Sequence, residues 1–404
     1  MKLEHNLNKQ LTYLILLATT TCQAQTQISA QDALKLAAKN RPALMSARLK
    51  VEEAISKANA LGAFPPLELS LGASSRSEVG ATDQDLALTQ GIDIFGRRRS
   101  ARALGDAGTR RAVAEYRLQA SQLQAEVLTA FATAVTSQHQ REVAAELVTV
   151  SEGLFKATQR RFEEGKIAEV QVTRASVELE RAKQSSELRQ ADYLAATKRL
   201  SGLIGVPTDA LSVESDAVIE ALRNANVAER PDLLALQADV VVAKAEAKVA
   251  SLSNRPEVGL QLVRSPWSND PGYFVGRVQI SWTLFDHGRA RNESRAASFR
   301  AESAKKLLED SLAVARRELE AAQIELEARS KRIKTYESIL GSARDLVAKS
   351  QKGFGEGIGT LIDVLEATRA LREVEQELVE ARQQYSLAVI AQYRASGFLA
   401  EVLK

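Results

Sequence analysis

Residues 274–284 read FVGRVQISWTL and form the clearest strand pattern in the chain. From Phe274 to Leu284 every second residue is apolar or glycine, and the residues between them are mainly polar. Alternation with a period of two over about ten residues is typical of a β-strand that crosses a membrane as part of a barrel. An ordinary hairpin on a small core alternates in the same way, so the strand alone leaves both interpretations open.

Three further stretches alternate similarly, at residues 67–75, 85–95 and 258–262. They predict two β-hairpins, 67–95 and 257–285, with polar turns rich in Gly, Pro, Asn and Asp. Both tryptophans of the chain lie beside the second hairpin. We therefore predict an aromatic girdle of the kind that marks a membrane interface. Its residues are Trp267, Tyr273, Phe274 and Trp282.

The chain repeats itself after 189 to 192 residues. Arg41-Pro42 returns as Arg230-Pro231, Phe162-x-x-Gly165 as Phe354-x-x-Gly357, and Gly205 as Gly397. This period is too long for a solenoid and indicates two copies of a whole subdomain. We predict a first repeat over 25–205, a connector over 206–228 and a second repeat over 229–404.

Very long helices follow the hairpins. Proline is absent from 97–164 and from 288–352, and a helix of this size reaches roughly 100 Å. Its charged and small residues require a bundle or coiled coil around it. A turn near Gly165 and another near Gly357 start the return helices, so each repeat contains a long helical hairpin. A shorter helix is predicted over 28–61.

The first 24 residues resemble an export signal. Lys2 and Lys9 precede a short apolar stretch, and Cys22-Gln-Ala24 offers a small-x-small cleavage site. Lipid attachment at Cys22 is the lesser alternative, because Thr21 precedes it where Gly or Ala is expected.

Composition excludes several classes of function. The net charge is only +3, which gives no argument for a nucleic-acid partner. With three histidines and one cysteine, the sequence shows no metal-ligand cluster and no cofactor motif. Gly355-x-Gly357-x-Gly359 follows a helix, whereas a dinucleotide-binding loop follows a strand. We expect no enzyme activity.

Four strands cannot close a barrel, and open sheet edges are not tolerated in a bilayer. Strands in a membrane therefore require several chains. Three chains would supply 12 strands and 12 helical segments, which describes a conduit across an outer membrane and a periplasm.

The chain resembles the TolC-type outer-membrane efflux protein family. The resemblance covers both repeats and rests on motifs in the first helix, the strand ends and the tips. They are Asn40-Arg41-Pro42-Ala43-Leu44, Leu88-Thr89-Gln90 with Phe95-Gly96, Leu284-Phe285-Asp286-His287-Gly288-Arg289, Phe162-x-x-Gly165, Phe354-x-x-Gly357 and Ile362-Asp363-Val364-Leu365-Glu366-Ala367.

The resemblance implies a homotrimer in the outer membrane of a Gram-negative cell, extending into the periplasm. A 12-stranded β-barrel would continue into a 12-helix α-barrel, in contact with outer-membrane lipid, a periplasmic adaptor and an inner-membrane pump. The tip residues that would contact the adaptor are Gly165, Lys166, Glu356, Gly357 and Ile358. The family often has a base after the second tip glycine, but here the sequence is Gly357-Ile358-Gly359-Thr360.

By the same resemblance, Asp363 and Glu366 lie near the pore aperture. Three residues apart, they share one helix face. A ring of carboxylates that filters the pore is one interpretation. Charge that stabilises a helix N-terminus is the other, and the sequence does not choose between them.

We predict the outer-membrane channel of a tripartite efflux system, for metal ions, drugs or other small molecules. The segment DIFGRR at residues 93–98 is closest to the cobalt–zinc–cadmium resistance branch. A duct for type I protein secretion is an alternative. A periplasmic adaptor or a coiled-coil scaffold agrees less well with the duplication and with the amphipathic strands.

Overall fold

The computed structural model describes residues 26–76, 81–207, 211–213, 221–222, 226–264 and 273–403. The predicted signal peptide, Cys22 and Trp267 lie outside the described residues. Helices dominate, and the strands are few, so the prediction of a mainly α-helical chain with a small β part is confirmed.

The elements follow the predicted order in each repeat. The first repeat contains β1 (Thr26–Ile28), α1 (Ala30–Asn40), α2 (Pro42–Leu61), β2 (Leu67–Arg76), β3 (Ala81–Ile92), α3 (Arg97–Glu163) and α4 (Glu169–Ile204). The connector contributes β4 (Leu211–Val213) and a 3₁₀ turn at Val227–Glu229. The second contains α5 (Pro231–Ser251), β5 (Glu257–Arg264), β6 (Phe274–Ser281), α6 (Arg289–Glu356), α7 (Leu361–Ser396) and a 3₁₀ turn at Glu401–Leu403.

The single helix predicted over 28–61 is two helices. Pro42 is the first residue of α2, and Arg41 before it is extended with φ −79° and ψ 113°. Proline disfavours a helical conformation in the preceding residue, so the chain breaks at this point. Ile28 belongs instead to β1, which pairs in parallel with β4. Neither of these short strands was predicted.

The described residues form two compact units, and each unit takes segments from both repeats. The first comprises the described parts of Met1–Asn40, Glu126–Glu220 and Ala328–Leu387. It contains β1, β4, α1, α4, the second half of α3 and most of the second helical hairpin, and it buries Phe131, Leu200 and Val364. The predicted repeat boundaries stay a prediction.

The second unit comprises the described parts of Arg41–Ala125, Ala221–Glu327 and Ala388–Lys404. It contains α2, α5, the first halves of α3 and α6, and a four-stranded antiparallel sheet in the order β2-β3-β5-β6. Its buried residues include Leu233, Leu319, Ala322 and Ala395.

A glycine in the left-handed conformation follows each return helix and lies against a close neighbour, the Asn40 side chain at Gly205 and the Arg230 backbone at Gly397. Gly205 (φ 69°) follows α4, and Gly397 (φ 74°) follows α7. In the first unit Asn40 donates from Nδ2 to the carbonyl oxygen of Ile204 at 3.0 Å. In the second, the equivalent Gly397 lies against the backbone of Arg230, which leaves no room for a methyl group. Both positions require glycine because of the left-handed conformation and the lack of space.

We expect Gly397→Ala to destabilise the protein by about 2 kcal/mol or more, because a new Cβ would lie 2.6 Å from Arg230 N at a positive φ. Thermal unfolding in detergent, followed by circular dichroism, measures this. Gly341→Ala is the matched control, since that helical position is open, and it should stabilise by about 0.5–1 kcal/mol. Equal melting temperatures for the two variants would contradict the close contact.

Candidate functional site

The four-stranded sheet has one apolar face because the alternation in each strand is in register with its neighbours. Leu69 pairs with Leu88, Leu88 with Leu262, and Leu260 with Val278. These residues point to the same side of the sheet, since paired residues share a face. Several of them are well exposed, including Leu71 at 75% and Ile280 at 67%. An exposed apolar face of this extent needs a covering that water does not provide.

The opposite face is polar. Thr89 and Gln261 are register partners, and Gln261 Nε2 donates to Thr89 Oγ1 at 3.2 Å. Arg277 and Gln279 continue this face on β6. Separation of apolar and polar residues onto two faces is the pattern of strands with lipid on one side and water on the other.

Aromatic residues lie at both ends of β6. Tyr273 and Phe274 are at its start and are 55% and 45% exposed, and Trp282 follows its end and is 55% exposed. From residue 274 to residue 282 a strand extends about 26 Å. With a tilt of about 35–45°, this length corresponds to a rise of about 20 Å along the barrel axis, somewhat less than the roughly 25 Å height of the apolar band in outer-membrane barrels. Trp282 Nε1 donates to the carbonyl oxygen of Asn254 at 3.1 Å.

The outer strands β2 and β6 each pair on one side only among the described residues. Each therefore presents a row of backbone N–H and C=O groups along its free edge. Such groups cannot be left unpaired in a hydrocarbon environment. In lipid, the free edges would therefore need further strands as hydrogen-bond partners.

An aspartate starts each of the two longest helices, a feature that we did not predict. Asp93 accepts from Arg97 N at 2.7 Å and from Arg98 N at 2.9 Å. Asp286 accepts from Gly288 N at 2.9 Å and from Ala290 N at 2.8 Å. These N–H bonds stabilise the ionised form and lower the pKa of the Asp286 carboxyl group. The sequence signal was the acidic residue shortly before each Gly-Arg pair.

The first helical tip is charged and exposed. Gly165 has φ 69°, and the N–H of Lys166 closes the turn on the carbonyl oxygen of Arg161 at 2.9 Å. Lys166 Nζ lies 2.7 Å from Glu164 Oε2, and this hydrogen-bonded pairing lowers the pKa of the Glu164 carboxyl group.

The second tip is mainly apolar. Gly357 has φ 84°, and the N–H groups of Ile358 and Gly359 both donate to the carbonyl oxygen of Gly353 at 3.0 Å. Ile358 is 84% exposed at the end of the turn. Glu356 Oε1 lies 3.9 Å from Lys352 Nζ.

Asp363 belongs to a reciprocal capping box at the start of α7. Its Oδ2 accepts from Thr360 N at 2.8 Å and from Thr360 Oγ1 at 2.7 Å, while Asp363 N donates back to Thr360 Oγ1 at 3.2 Å. Bonds from the backbone N–H and the hydroxyl group lower the pKa of the Asp363 carboxyl group. The helix-capping role that the sequence left open is therefore present in the structure.

Glu366, one turn further along α7, lies in a different environment. It is exposed and lines a groove of about 390 Å³ between α4 and α7, together with Arg174, Glu178 and Arg369. Glu178 is buried and accepts from Arg369 Nη2 at 2.6 Å and from Arg181 Nη1 at 3.2 Å. The two predicted aperture residues are thus near in sequence but differ in the groups that surround them.

Arg161 joins the two tips of the chain and was missed by the sequence reasoning. Its Nη1 donates to the carbonyl oxygen of Phe354 at 2.6 Å, and its guanidinium carbon lies 4.4 Å from the centre of the Phe354 ring. Phe354 is 5% exposed and packs with Leu361 and Val364. No local pattern could show this contact, because the two residues are 193 positions apart.

No group of three or more His, Cys, Asp or Glu residues suited to a metal ion occurs in the described part of the chain. Among the helices described here, none is long and apolar enough to cross a membrane.

Comparison with known proteins supports a single family. The family described as outer membrane efflux protein matches residues 33–206 and 222–397. Alkaline protease secretion protein AprF of Pseudomonas aeruginosa is 27% identical over 294 residues, which cover 68% of this chain and 61% of AprF. Outer membrane protein TolC of Vibrio cholerae is 26% identical over 207 residues, covering 46% of this chain and 44% of TolC.

A third relative is a metal-resistance protein. Nickel-cobalt-cadmium resistance protein NccC of Alcaligenes xylosoxydans is 26% identical over 233 residues, covering 56% of this chain and 53% of NccC. The alignments therefore span between 44% and 61% of these relatives. Among solved structures, the outer membrane protein VceC of Vibrio cholerae has a TM-score of 0.77 at 20% identity, over 91% of this chain and 96% of VceC.

The repeated helix–hairpin–helix order, the two-faced sheet and the paired helical tips agree with these likenesses. The family resemblance inferred from the sequence and the predicted outer-membrane location are confirmed. The chain belongs to the outer membrane efflux protein family.

Proposed function

We propose that this chain is the outer-membrane channel of a tripartite efflux or export system, a passive conduit across the outer membrane and the periplasm. The observation that carries the proposal is the four-stranded sheet with one apolar face, one polar face and two free edges. In lipid, those edges must pair with further strands. The family supports a channel over an enzyme, a periplasmic adaptor or a coiled-coil scaffold.

A homotrimer would pair all the free backbone N–H and C=O groups of the edge strands β2 and β6. Free β6 of one copy would pair with free β2 of the next, and three copies would close a barrel of 12 strands. Closed cyclic symmetry leaves no edge exposed, and 12 lies within the range of strand numbers seen in outer-membrane barrels. The polar face, with Arg277 and Gln279, would then line a water-filled interior, and the long helices would continue the conduit as an α-barrel of 12 helices.

The aromatic residues at the two ends of β6 would lie at the two membrane interfaces. Tyr273 and Phe274 at one end and Trp282 at the other are exposed and about 26 Å apart along the strand. We retain Trp267 as a fourth member of this girdle on the basis of sequence alone.

The helical tips are proposed to contact a periplasmic adaptor, which links the channel to an inner-membrane pump. The two tips offer different chemistry, since Gly165 and Lys166 carry a charged turn whereas Ile358 presents an exposed apolar side chain beside Gly357 and Glu356. A partner that binds both tips would need an acidic or polar group for the charged turn and an apolar pocket for Ile358.

For cargo, the relatives point in two directions. NccC is named for nickel, cobalt and cadmium resistance, which supports efflux of metal ions as in the predicted branch. AprF is named for secretion of an alkaline protease, which supports the alternative of a type I secretion duct. Drugs and other small molecules are further candidates. A deletion strain separates these proposals, through its metal sensitivity, its drug sensitivity and its secreted proteins.

Val278→Lys should prevent assembly in the outer membrane, because it places a charge on the apolar face at a cost of about 2–4 kcal/mol near the bilayer midplane. Gln279→Lys, the neighbouring change on the polar face, should assemble like the wild type. Heat-resistant oligomer in outer-membrane fractions measures both. The membrane proposal fails if the purified wild type is monomeric in aqueous extracts without detergent, or if the two variants assemble equally well.

Substitutions of Asp363 and Glu366 in the proposed aperture should have different effects, one on stability and the other on ion selectivity. Glu366→Gln should reduce cation selectivity in planar bilayers with little change in thermal stability. Asp363→Asn should lower stability, because the capping box loses its charge. The pKa of Asp363 is lowered in the folded protein, so its carboxylate adds to the free energy of unfolding at pH values above the ordinary pKa of about 3.9. This contribution should be complete at pH 7 and should be lost as the pH falls through the lowered pKa.

The outcome that would reverse these roles is a selectivity change confined to Asp363→Asn, with an unchanged reversal potential for Glu366→Gln. In that case the carboxylate ring would be formed by Asp363.

Arg161→Ala should raise single-channel conductance, because it releases the second tip from the hydrogen bond and the ring contact at Phe354. Arg160→Ala is the matched control, since Arg160 is an exposed neighbour in the same helical turn. Conductance that rises equally in both variants would indicate a general effect of charge and not a link between the tips.

A further inference from the structure

A cavity of about 620 Å³ lies at the end of the sheet in the second unit. It is partly open to solvent and is lined by residues from the ends of α2 and α5, the start of α3 and the adjoining ends of β3 and β5. Its lining is mainly apolar. The larger apolar residues include Pro65, Ile92, Phe95, Val249, Leu252 and Val258. A cavity of this size falls within the range of sites that bind small molecules.

The apolar lining continues the apolar face of the sheet. Ile92 and Val258 are register partners at the end of β3 and β5, and both also line the cavity. Near the same end, Phe64 and Ile94 are 76% and 62% exposed. Gln90 also lies on this face, between Leu88 and Ile92, so the apolar connection to the cavity runs along Leu260 and Val258 of β5.

Two arginines, Arg97 and Arg98, line this apolar space. Arg97 contacts the Glu257 carboxylate and the carbonyl oxygens of Ser253 and Arg255, yet its Nε is buried and has no hydrogen-bond partner among the described residues. Arg98 donates from Nε to the carbonyl oxygen of Gly62 at 2.8 Å, and its guanidinium carbon lies 3.7 Å from the centre of the Phe64 ring.

The local charge is positive. Of the two nearby carboxylates, Asp93 is occupied by the backbone N–H groups of Arg97 and Arg98, and Glu257 by the Arg97 guanidinium group. The lining therefore holds two arginines and two carboxylates. Two further arginines lie close by, since the Arg102 side chain is next to Gly62 and the carbonyl oxygen of Arg255 accepts from Arg97. An apolar cavity with excess positive charge is complementary to a molecule that has an apolar tail and an anionic head.

We propose that this cavity binds an anionic phospholipid, with an acyl chain against Ile92, Val249 and Leu252 and the phosphate group close to Arg97 and Arg98. The proposal rests on the proposed position of the sheet in a membrane. The apolar lining favours a lipid over a free anion, because a soluble phosphate would gain nothing from it. Basic residues at a membrane surface attract anionic headgroups in the same way.

The site is complete within one chain. It lies beneath the central strands β3 and β5, whereas the free edges that would pair with other copies belong to β2 and β6. A closed trimer would therefore contain three such sites.

Native mass spectrometry of the purified full-length assembly tests the proposal. The probes are phosphatidylglycerol and phosphatidylcholine, which share acyl chains and differ in net charge. We expect retention of phosphatidylglycerol well above that of phosphatidylcholine. Arg98→Gln should weaken phosphatidylglycerol binding roughly fivefold, as expected for one basic residue at a lipid surface, and Ala250→Phe should weaken it by occupying part of the space for the acyl chain. Arg291→Gln, an exposed arginine outside the lining, is the control and should bind normally.

Equal retention of the two lipids, or unchanged binding in both Arg98→Gln and Ala250→Phe, would overturn the proposal. Displacement of the lipid by inorganic phosphate at similar concentrations would assign the site to a free anion instead. Melting temperatures show whether each variant folds, and if Arg98→Gln is misfolded, Ala250→Phe alone decides. The conductance of the same samples separates the two proposals. If the wild type conducts ions but shows no preference for phosphatidylglycerol, the lipid site is ruled out and the channel proposal stands.

Discussion

The free edges of the four-stranded sheet are the constraint on which the rest of the structure depends. A sheet with one exposed apolar face is stable next to lipid, but lipid offers no hydrogen bonds to the edge strands β2 and β6. Only further strands can satisfy these groups, and this requirement leads from one chain to an assembly. The function proposed for the chain, a conduit, follows from closing the sheet with the polar side of Thr89, Gln261 and Arg277 inward.

A different interaction joins the two helical tips. The tips are short glycine turns, and the Arg161–Phe354 interaction joins them within one chain. The capping box of Thr360 and Asp363 then starts the return helix beside this contact. The Asp363 carboxylate therefore stabilises a helix end, whereas Glu366 lines a groove together with Arg369.

Duplication explains much of the structure, though the repeats and the compact units are not the same divisions. Asp93 and Asp286 begin α3 and α6 in the same manner, and Gly205 and Gly397 end α4 and α7 with the same left-handed conformation. Each unit nevertheless combines segments of both copies. A helical hairpin cannot bury its apolar stripe alone, so each unit takes helix segments from both copies to form its core.

The sequence alone was sufficient to predict the four strands of the sheet, the long helices and the glycine turns, because each depends on a local period or on a residue with special backbone freedom. The alternation from Phe274 to Leu284 and the glycines at 165 and 357 were sufficient for that. Only the tertiary structure decided which strand edges are free, that Arg161 reaches Phe354, and that the apolar space beneath β3 and β5 is bordered by arginines. These features join residues far apart in the chain, and a local pattern carries no information about such contacts.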